Sequence, residues 1–173
     1  MYYHNITTDD MLNGSGLRVC LWCSGCGHHC DSCQNPQTWN VTSGIEFGED
    51  AEKELFEELD KDYISGITFT GGDPLHDNNV ETIYKLCIKI KQKYPTKNIW
   101  VYTGYLFETI IYPNTSEIDD TYRRNIILMT DVLVDGKFDK DKADVNYPWA
   151  GSTNQRVINV QETLKQGKII LWH

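Results

Sequence analysis

The chain has 173 residues, 40% of them hydrophobic, and a formal net charge of −9 at pH 7. This length supports one sizeable core, so we expect a single domain over 1–173. The negative charge disfavours direct binding to nucleic acid, whose phosphate backbone is also negative. No apolar segment approaches membrane-spanning length, and the amino terminus lacks the pattern of a secretory signal. We therefore expect a cytoplasmic protein that does not bind membranes.

The predicted elements alternate between strands and helices. Strands are predicted at 17–22, 66–70, 98–103 and 131–134. Apolar periodicity predicts helices around 51–59, at 78–94 and at 116–128. The apolar segments 156–160 and 168–172 are interpreted as strand-like pieces that pack on the domain. Because strands that alternate with helices form right-handed crossover units, the sheet is expected to be mainly parallel.

Four unusual segments each follow a predicted strand. They are the cysteine-rich loop, GGDP at 71–74, TGY at 103–105 and DGKF at 135–138. In parallel sheets and α/β barrels, the loops beyond the carboxyl ends of the strands build the active site. The four segments are therefore expected to meet at one edge of the sheet.

The cysteines point to metal or redox chemistry, because a reducing cytosol keeps thiols out of disulfides. Five of the six lie in one short stretch, at Cys20, Cys23, Cys26, Cys30 and Cys33. The sixth, Cys87, lies on the apolar stripe of the helix predicted at 78–94, where a free cysteine packs as a small hydrophobe.

The spacing C-x3-C-x2-C of Cys26, Cys30 and Cys33 places three thiolates on one short loop. Three protein ligands on a four-iron cubane leave one iron open to a small molecule. A structural zinc site is an alternative, because the stretch also contains two C-x2-C pairs. A third interpretation has Cys20 simply packed within its predicted strand. The histidines inside the triad, His28 and His29, are given no role.

Taken in order, the motifs resemble those of the activating enzymes of anaerobic ribonucleoside-triphosphate reductase, within the radical S-adenosylmethionine superfamily of glycyl radical enzyme activases. The resemblance spans most of the chain. It rests on NGSG at 13–16, SGCGHHCDSCQN at 24–35, TW at 38–39, GGDPL at 71–75, WVYTGY at 100–105, LVDGKF at 133–138 and GSTNQR at 151–156. It implies an α/β fold in the form of a partial, incomplete α/β barrel of the radical S-adenosylmethionine type.

The resemblance also implies the ligands. Cys26, Cys30 and Cys33 are expected to hold a [4Fe-4S] cluster, with S-adenosylmethionine bound to the open iron. The expected cofactor-binding residues are Ser32, Cys33, Gln34, Gly71, Gly72 and Asp73. The glycines suit this role because they let backbone approach a ligand closely. Gln34 departs from the pattern, in which an aromatic residue or histidine commonly follows the last cluster cysteine, and the pattern gives no role to Cys20 and Cys23.

The implied reaction starts with an electron from a flavodoxin-type or ferredoxin-type protein. S-adenosylmethionine is then cleaved to a 5′-deoxyadenosyl radical, which takes hydrogen from a glycine in the large subunit of the reductase and leaves a glycyl radical. Beyond the cluster and the cofactor no catalytic residue is needed, because the cofactor performs the difficult chemistry. Two alternatives are an activator of a pyruvate formate-lyase type enzyme and a non-enzymatic zinc-binding interaction module that uses Cys20, Cys23, Cys30 and Cys33.

Overall fold

The computed structural model describes residues 1–113 and 117–172, and its centre is a mixed β-sheet. The strands within those residues are β1 (Tyr2–Asp10), β2 (Arg18–Cys23), β3 (Ile45–Glu46), β4 (Gly66–Gly71), β5 (Asn98–Tyr102), β6 (Val132–Asp135) and β7 (Arg156–Asn159). Their order across the sheet is β3-β1-β2-β4-β5-β6-β7. The four central strands β2, β4, β5 and β6 are parallel, whereas the outer pairings are antiparallel. The sheet is open, and the expected α/β class with a mainly parallel centre is confirmed.

Of the five α-helices in the described residues, the first four lie in the connections between the parallel strands, and the fifth follows β7. They are α1 (Glu49–Leu59), α2 (Asp77–Lys93), α3 (Phe107–Ile111), α4 (Ile118–Met129) and α5 (Val160–Gln166). Helix α2 begins where the ring of His76 accepts a hydrogen bond from the Asn78 amide, and Lys91 and Lys93 lie in its last turn, where cations are favoured. Among the described residues, no helix is long and apolar enough to cross a membrane.

Several elements differ from the sequence prediction. Strands β1 and β3 and helices α3 and α5 were not predicted, and the strand expected at 168–172 is wrong. After α5 the chain turns at Gly167, which has a φ of +67°, and then runs along β7 with a single isolated bridge between Ile158 and Leu171. That contact is too short to form a strand. The third predicted helix, at 116–128, corresponds to α4, which begins at Ile118; its predicted first residue, Ser116, lies outside the described residues.

The two faces of the sheet have different covers. The main core lies between the sheet and the helices and includes Leu21, Val101 and Leu133. A smaller apolar cluster on the other face is centred on Trp100, and its described members belong to strands and loops instead of helices. This division follows from the alternation of side chains along a strand. The second face is therefore covered by irregular segments, which leave space at the carboxyl ends of the strands.

Arg18, at the start of β2, fastens one of these segments to the sheet. Its side chain is fully buried, and its guanidinium lies 5.2 Å from the centre of the Trp100 ring. It donates hydrogen bonds to Thr68 Oγ1 at 2.8 Å, to Asn98 Oδ1 at 2.6 Å and to three backbone carbonyls. The Thr68 hydroxyl in turn donates to the Asn13 carbonyl at 2.7 Å. Burial lowers the pKa of Arg18 to about 10, because removing the guanidinium from water disfavours its charged form.

Replacing Arg18→Met keeps an unbranched apolar side chain at this position but removes every donor. Several buried acceptors would lose their partners, so we expect the free energy of unfolding to fall by about 2–4 kcal/mol. Urea denaturation of the cluster-free protein measures this. Arg124→Met is the matched control, because Arg124 is exposed on α4 and should change stability by less than about 0.5 kcal/mol. Equal stabilities of the two variants would contradict this account of Arg18.

Candidate iron-sulfur site

A cavity of about 260 Å³ lies at the carboxyl ends of the four parallel strands. Each of the four unusual segments found in the sequence contributes to its wall. The contributing residues include Cys26, Cys30, Cys33, Gln34, Gly71, Gly72, Asp73, Thr103, Gly104, Gly136, Lys137 and Phe138. The structure thus brings together segments that are far apart in the chain, as the strand-loop pattern predicted.

The three cysteines of the triad are partly exposed, and all three line this cavity. The loop that carries them is irregular, and backbone hydrogen bonds hold its start. The Gly25 amide donates to the Thr38 carbonyl at 2.7 Å, and the Cys26 amide donates to the Trp39 carbonyl at 3.1 Å. The Thr-Trp pair at 38–39 therefore acts as a brace for the cysteine loop.

Backbone amides donate hydrogen bonds to two of the sulfur atoms. The amides of His28 and His29 hydrogen-bond to Cys26 and favour its thiolate, whereas burial, the largest effect, raises the pKa of this thiol. The Asn35 amide donates to Cys33 Sγ at 3.3 Å. Amide donors stabilise negative charge on sulfur, both on a thiolate and on one that ligates iron.

The fit to a [4Fe-4S] cluster rests on the set of donors. Within residues 1–113 and 117–172, no group of three or more histidine, cysteine or acidic side chains is arranged to hold a single metal ion. A cubane cluster does not require its ligands to converge on one ion, because each thiolate binds its own iron at a separate corner. Three thiols spaced around one open cavity, with amides directed at the sulfurs of Cys26 and Cys33, fit a cluster of this kind.

The remaining cysteines lie away from the cavity wall. Cys20 and Cys23 are three positions apart in β2, so their side chains point to opposite faces of the sheet, and both are fully buried. Burial raises the pKa of Cys20 to about 12 and raises that of Cys23 as well. This contradicts the zinc site that combines them with Cys30 and Cys33. The interpretation of Cys20 as a packed strand residue agrees with the structure, and Cys87 is buried in the core, as expected.

The glycine pair after β4 is needed because two loops touch there, backbone to backbone. Gly71 has a φ of +97°, and a Cβ on it would lie 2.9 Å from backbone atoms of Cys23. A Cβ on Gly72 would lie 2.6 Å from the carbonyl oxygen of Gly25. The Gly72 amide also donates to the Cys23 carbonyl at 2.7 Å. The GG sequence thus joins the β4 loop to the start of the cysteine loop.

Asp73 has a structural role that the sequence did not reveal. It is buried, and its carboxylate accepts hydrogen bonds from the amides of Leu75 and Gly104, at 2.8 and 3.0 Å. The Thr103 hydroxyl donates to the same carboxylate at 2.9 Å. The fourth partner is His28 Nε2, at 2.7 Å. Asp73, expected to bind the cofactor, is therefore held by protein groups, and no pattern in the sequence links it to His28.

The residues that flank Cys33 differ in position. Gln34 is exposed and lines the cavity. Ser32 is also exposed, has a φ of +58° and does not belong to the described cavity wall. Its neighbour Asp31 forms an ion pair with Lys140, which joins the cysteine loop to the segment after β6.

The segment at 151–156, which the sequence singled out without a role, supports the loop after β6. The Gln155 side chain accepts a hydrogen bond from the Gly151 amide at 3.0 Å and donates one to the Gly136 carbonyl at 2.9 Å. The Asn154 side chain donates to the Lys137 carbonyl at 2.9 Å. These contacts fix the part of the cavity wall that DGKF provides.

Comparison with known proteins agrees with a site of this kind. The chain matches the profile of the 4Fe-4S single cluster domain family over residues 12–158. It is 40% identical to the anaerobic ribonucleoside-triphosphate reductase-activating protein of Escherichia coli K12, over 91% of this chain and 97% of that one. The protein of the same name from enterobacteria phage T4 is 40% identical, over 91% and 93%, and that of Pasteurella multocida is 38% identical, over 90% and 95%. The chain belongs to the 4Fe-4S single cluster domain family and to the family of these reductase-activating proteins, which confirms the resemblance seen in its motifs.

The burial of the cysteines predicts their reactivity. In the reduced, cluster-free protein at pH 8, we expect iodoacetamide to modify Cys26, Cys30 and Cys33 much faster than the three buried cysteines. The thiolate is the reactive form, and burial both raises the pKa of a thiol and blocks access to it. Mass spectrometry of digested samples identifies the modified sites, and in denaturant all six should react. Fast modification of Cys20 or Cys23 in the folded protein would show that β2 does not protect them.

Proposed function

We propose that this chain, as one radical S-adenosylmethionine domain over 1–173, activates anaerobic ribonucleotide reductase by forming a glycyl radical on it. The proposal is supported above all by the cavity at the carboxyl ends of the parallel strands, which three thiols and the GGD segment line together. The names of the relatives support the choice of partner. The open sheet is compatible with an incomplete barrel of the radical S-adenosylmethionine type.

In this proposal the chain holds the cluster and orients the cofactor. Cys26, Cys30 and Cys33 would hold the cluster through their thiolates and would leave one iron open to S-adenosylmethionine. When bound, the cluster would supply the one electron for reductive cleavage of S-adenosylmethionine to methionine and a 5′-deoxyadenosyl radical, and that radical would take a hydrogen atom from the partner's glycine. The backbone at Gly71 and Gly72 lies in the cavity wall, where its carbonyls can accept hydrogen bonds from an ammonium group.

The other residues expected to contact the cofactor are assigned roles from where they lie relative to the cavity. Gln34 lines the cavity directly after Cys33, so we assign its amide to the adenosine part of the cofactor. We assign Ser32 to the outer edge of the same contact, since it is exposed. Asp73 acts by holding the loops around the cofactor, because its carboxylate already accepts hydrogen bonds from protein groups.

The protein's main contribution to the rate is proximity. A reactive radical must meet its target before any other hydrogen donor, so the glycine has to reach the cavity itself. The open side of the sheet leaves room for a segment of a large partner. We place the reaction in the cytoplasm, where thiols stay reduced and a flavodoxin-type or ferredoxin-type protein can supply the electron.

The first test measures 5′-deoxyadenosine formed by anaerobically reconstituted protein with S-adenosylmethionine and a strong reductant. We expect product from wild type and from Cys20→Ala, because Cys20 is buried in β2. We expect neither a complete cluster nor product from Cys26→Ala, which removes one ligand. A complete and active cluster in Cys26→Ala would contradict the ligand assignment. Stoichiometric zinc without product in wild type would favour a non-enzymatic module.

The second test identifies the partner. The reconstituted protein is incubated anaerobically with S-adenosylmethionine, reductant and either an anaerobic ribonucleotide reductase or a pyruvate formate-lyase type enzyme. We expect electron paramagnetic resonance to detect a glycyl radical in the reductase. The signal in the other enzyme should be at least about 10-fold weaker, because specificity is a difference in interaction with the two partners. The reverse order of signals would change the assigned partner and leave the cleavage reaction in place.

A further inference from the structure

We propose that His28 is a positioning residue for the cluster, and that it ties the cysteine loop to Asp73 and thereby keeps Cys26 in place to bind iron. The inference rests on the cluster-binding part of the proposed function and does not depend on cleavage of S-adenosylmethionine. Neither histidine of the loop has a role in the reaction proposed above.

The first support is a short, shielded contact. His28 Nε2 lies 2.7 Å from Asp73 Oδ2, and the two side chains are only 12% and 2% exposed. Because an ionised carboxylate only accepts hydrogen bonds, Nε2 carries the hydrogen and donates it. A hydrogen bond to a charged group is strong where water is excluded, so this contact fixes the imidazole firmly.

The second support is the slot that holds the ring. The imidazole meets Tyr105 edge to face, with ring centroids 4.7 Å apart. On another side it contacts Gly104, where an added Cβ would lie 2.4 Å from His28 Cδ2. Thr103 and Gly104, which form this wall, also donate to Asp73. The ring is thus confined to one orientation by the segment that completes the partners of Asp73.

The third support connects this anchor to the sulfur. The backbone amide of His28 hydrogen-bonds to Cys26, a predicted cluster ligand. One residue therefore contacts Asp73 through its side chain and the thiol through its main chain. If the ring lost its anchor, the amide and the thiol would both be less restrained, and a cluster ligand without such support binds its metal more weakly.

His29 provides an internal comparison. Its amide also hydrogen-bonds to Cys26, but its ring is exposed and lies tilted against Trp39, with centroids 4.7 Å apart and an interplanar angle of 34°. Its backbone has a φ of +48°, which asparagine tolerates better than most residues. His29→Asn therefore removes an imidazole from the same loop without touching the anchor on Asp73.

The experiment measures how fast a chelator removes iron from anaerobically reconstituted protein in the absence of S-adenosylmethionine. His28→Phe keeps a ring against Tyr105 but loses the donor, and we expect iron loss to be at least about 10-fold faster than in wild type. His28→Gln keeps an N–H donor of similar reach, and we expect it to restore most of the retention. His29→Asn should match wild type. Iron and sulfide contents before chelation check that each protein started with a cluster.

A general loss of stability is separated from positioning by Ile90→Val. Ile90 lies on α2 and packs in the main core, outside the cavity wall, so this substitution should lower the urea concentration at the midpoint of unfolding. We expect it to retain iron like wild type. Equal iron loss from His28→Phe and wild type, or equal acceleration in His28→Gln and His28→Phe, would overturn the proposal. Equal acceleration in Ile90→Val would also overturn it. A wild-type protein that holds its cluster but forms no 5′-deoxyadenosine would instead overturn the proposed reaction.

Discussion

The buried carboxylate of Asp73 is the constraint on which the site depends. It accepts hydrogen bonds from the cysteine loop, from its own turn and from the end of β5. Removing a carboxylate from water is costly unless several donors replace the lost hydration. If any one of these loops moved away, the charge would lose part of that compensation, so the three loops are held together as one unit. The wall of the cavity is therefore largely organised by the chain itself.

The sheet decides where this unit forms. Strands β2, β4, β5 and β6 run parallel, so their following loops reach the same edge, and within the described part of the chain the helices pack on one face. The other face carries the segment fastened by Arg18 and the segment braced by Gln155. These two irregular segments leave a cavity between them, and the sheet does not close into a barrel. The architecture thus combines a rigid core behind the site with an accessible opening in front of it.

Features encoded locally could be predicted from the sequence, whereas contacts between distant loops could not. The central strands have apolar runs that are followed within two residues by glycine, and the cysteine spacing is short, so both are visible in the chain. Strand β1 was missed because the threonines and acidic residues of Tyr2–Asp10 interrupt its apolar pattern. Helix α5 was missed because seven residues are too few to show a period. The contact between His28 and Asp73 joins residues 45 positions apart, and a single hydrogen bond leaves no periodic trace.

The burial of Cys20 and Cys23 in β2 has a consequence for damage by oxygen. If a cluster is destroyed, its thiols become free to pair, and thiol–disulfide exchange spreads to any neighbour that is ionised and reachable. Both strand thiols are enclosed, and the pKa of each is raised by burial, so they are poor participants in such exchange. Wrong pairings are then confined to the loop thiols Cys26, Cys30 and Cys33. Reduction of these three alone would return the chain to a state from which a cluster can be rebuilt, with the sheet beneath it intact.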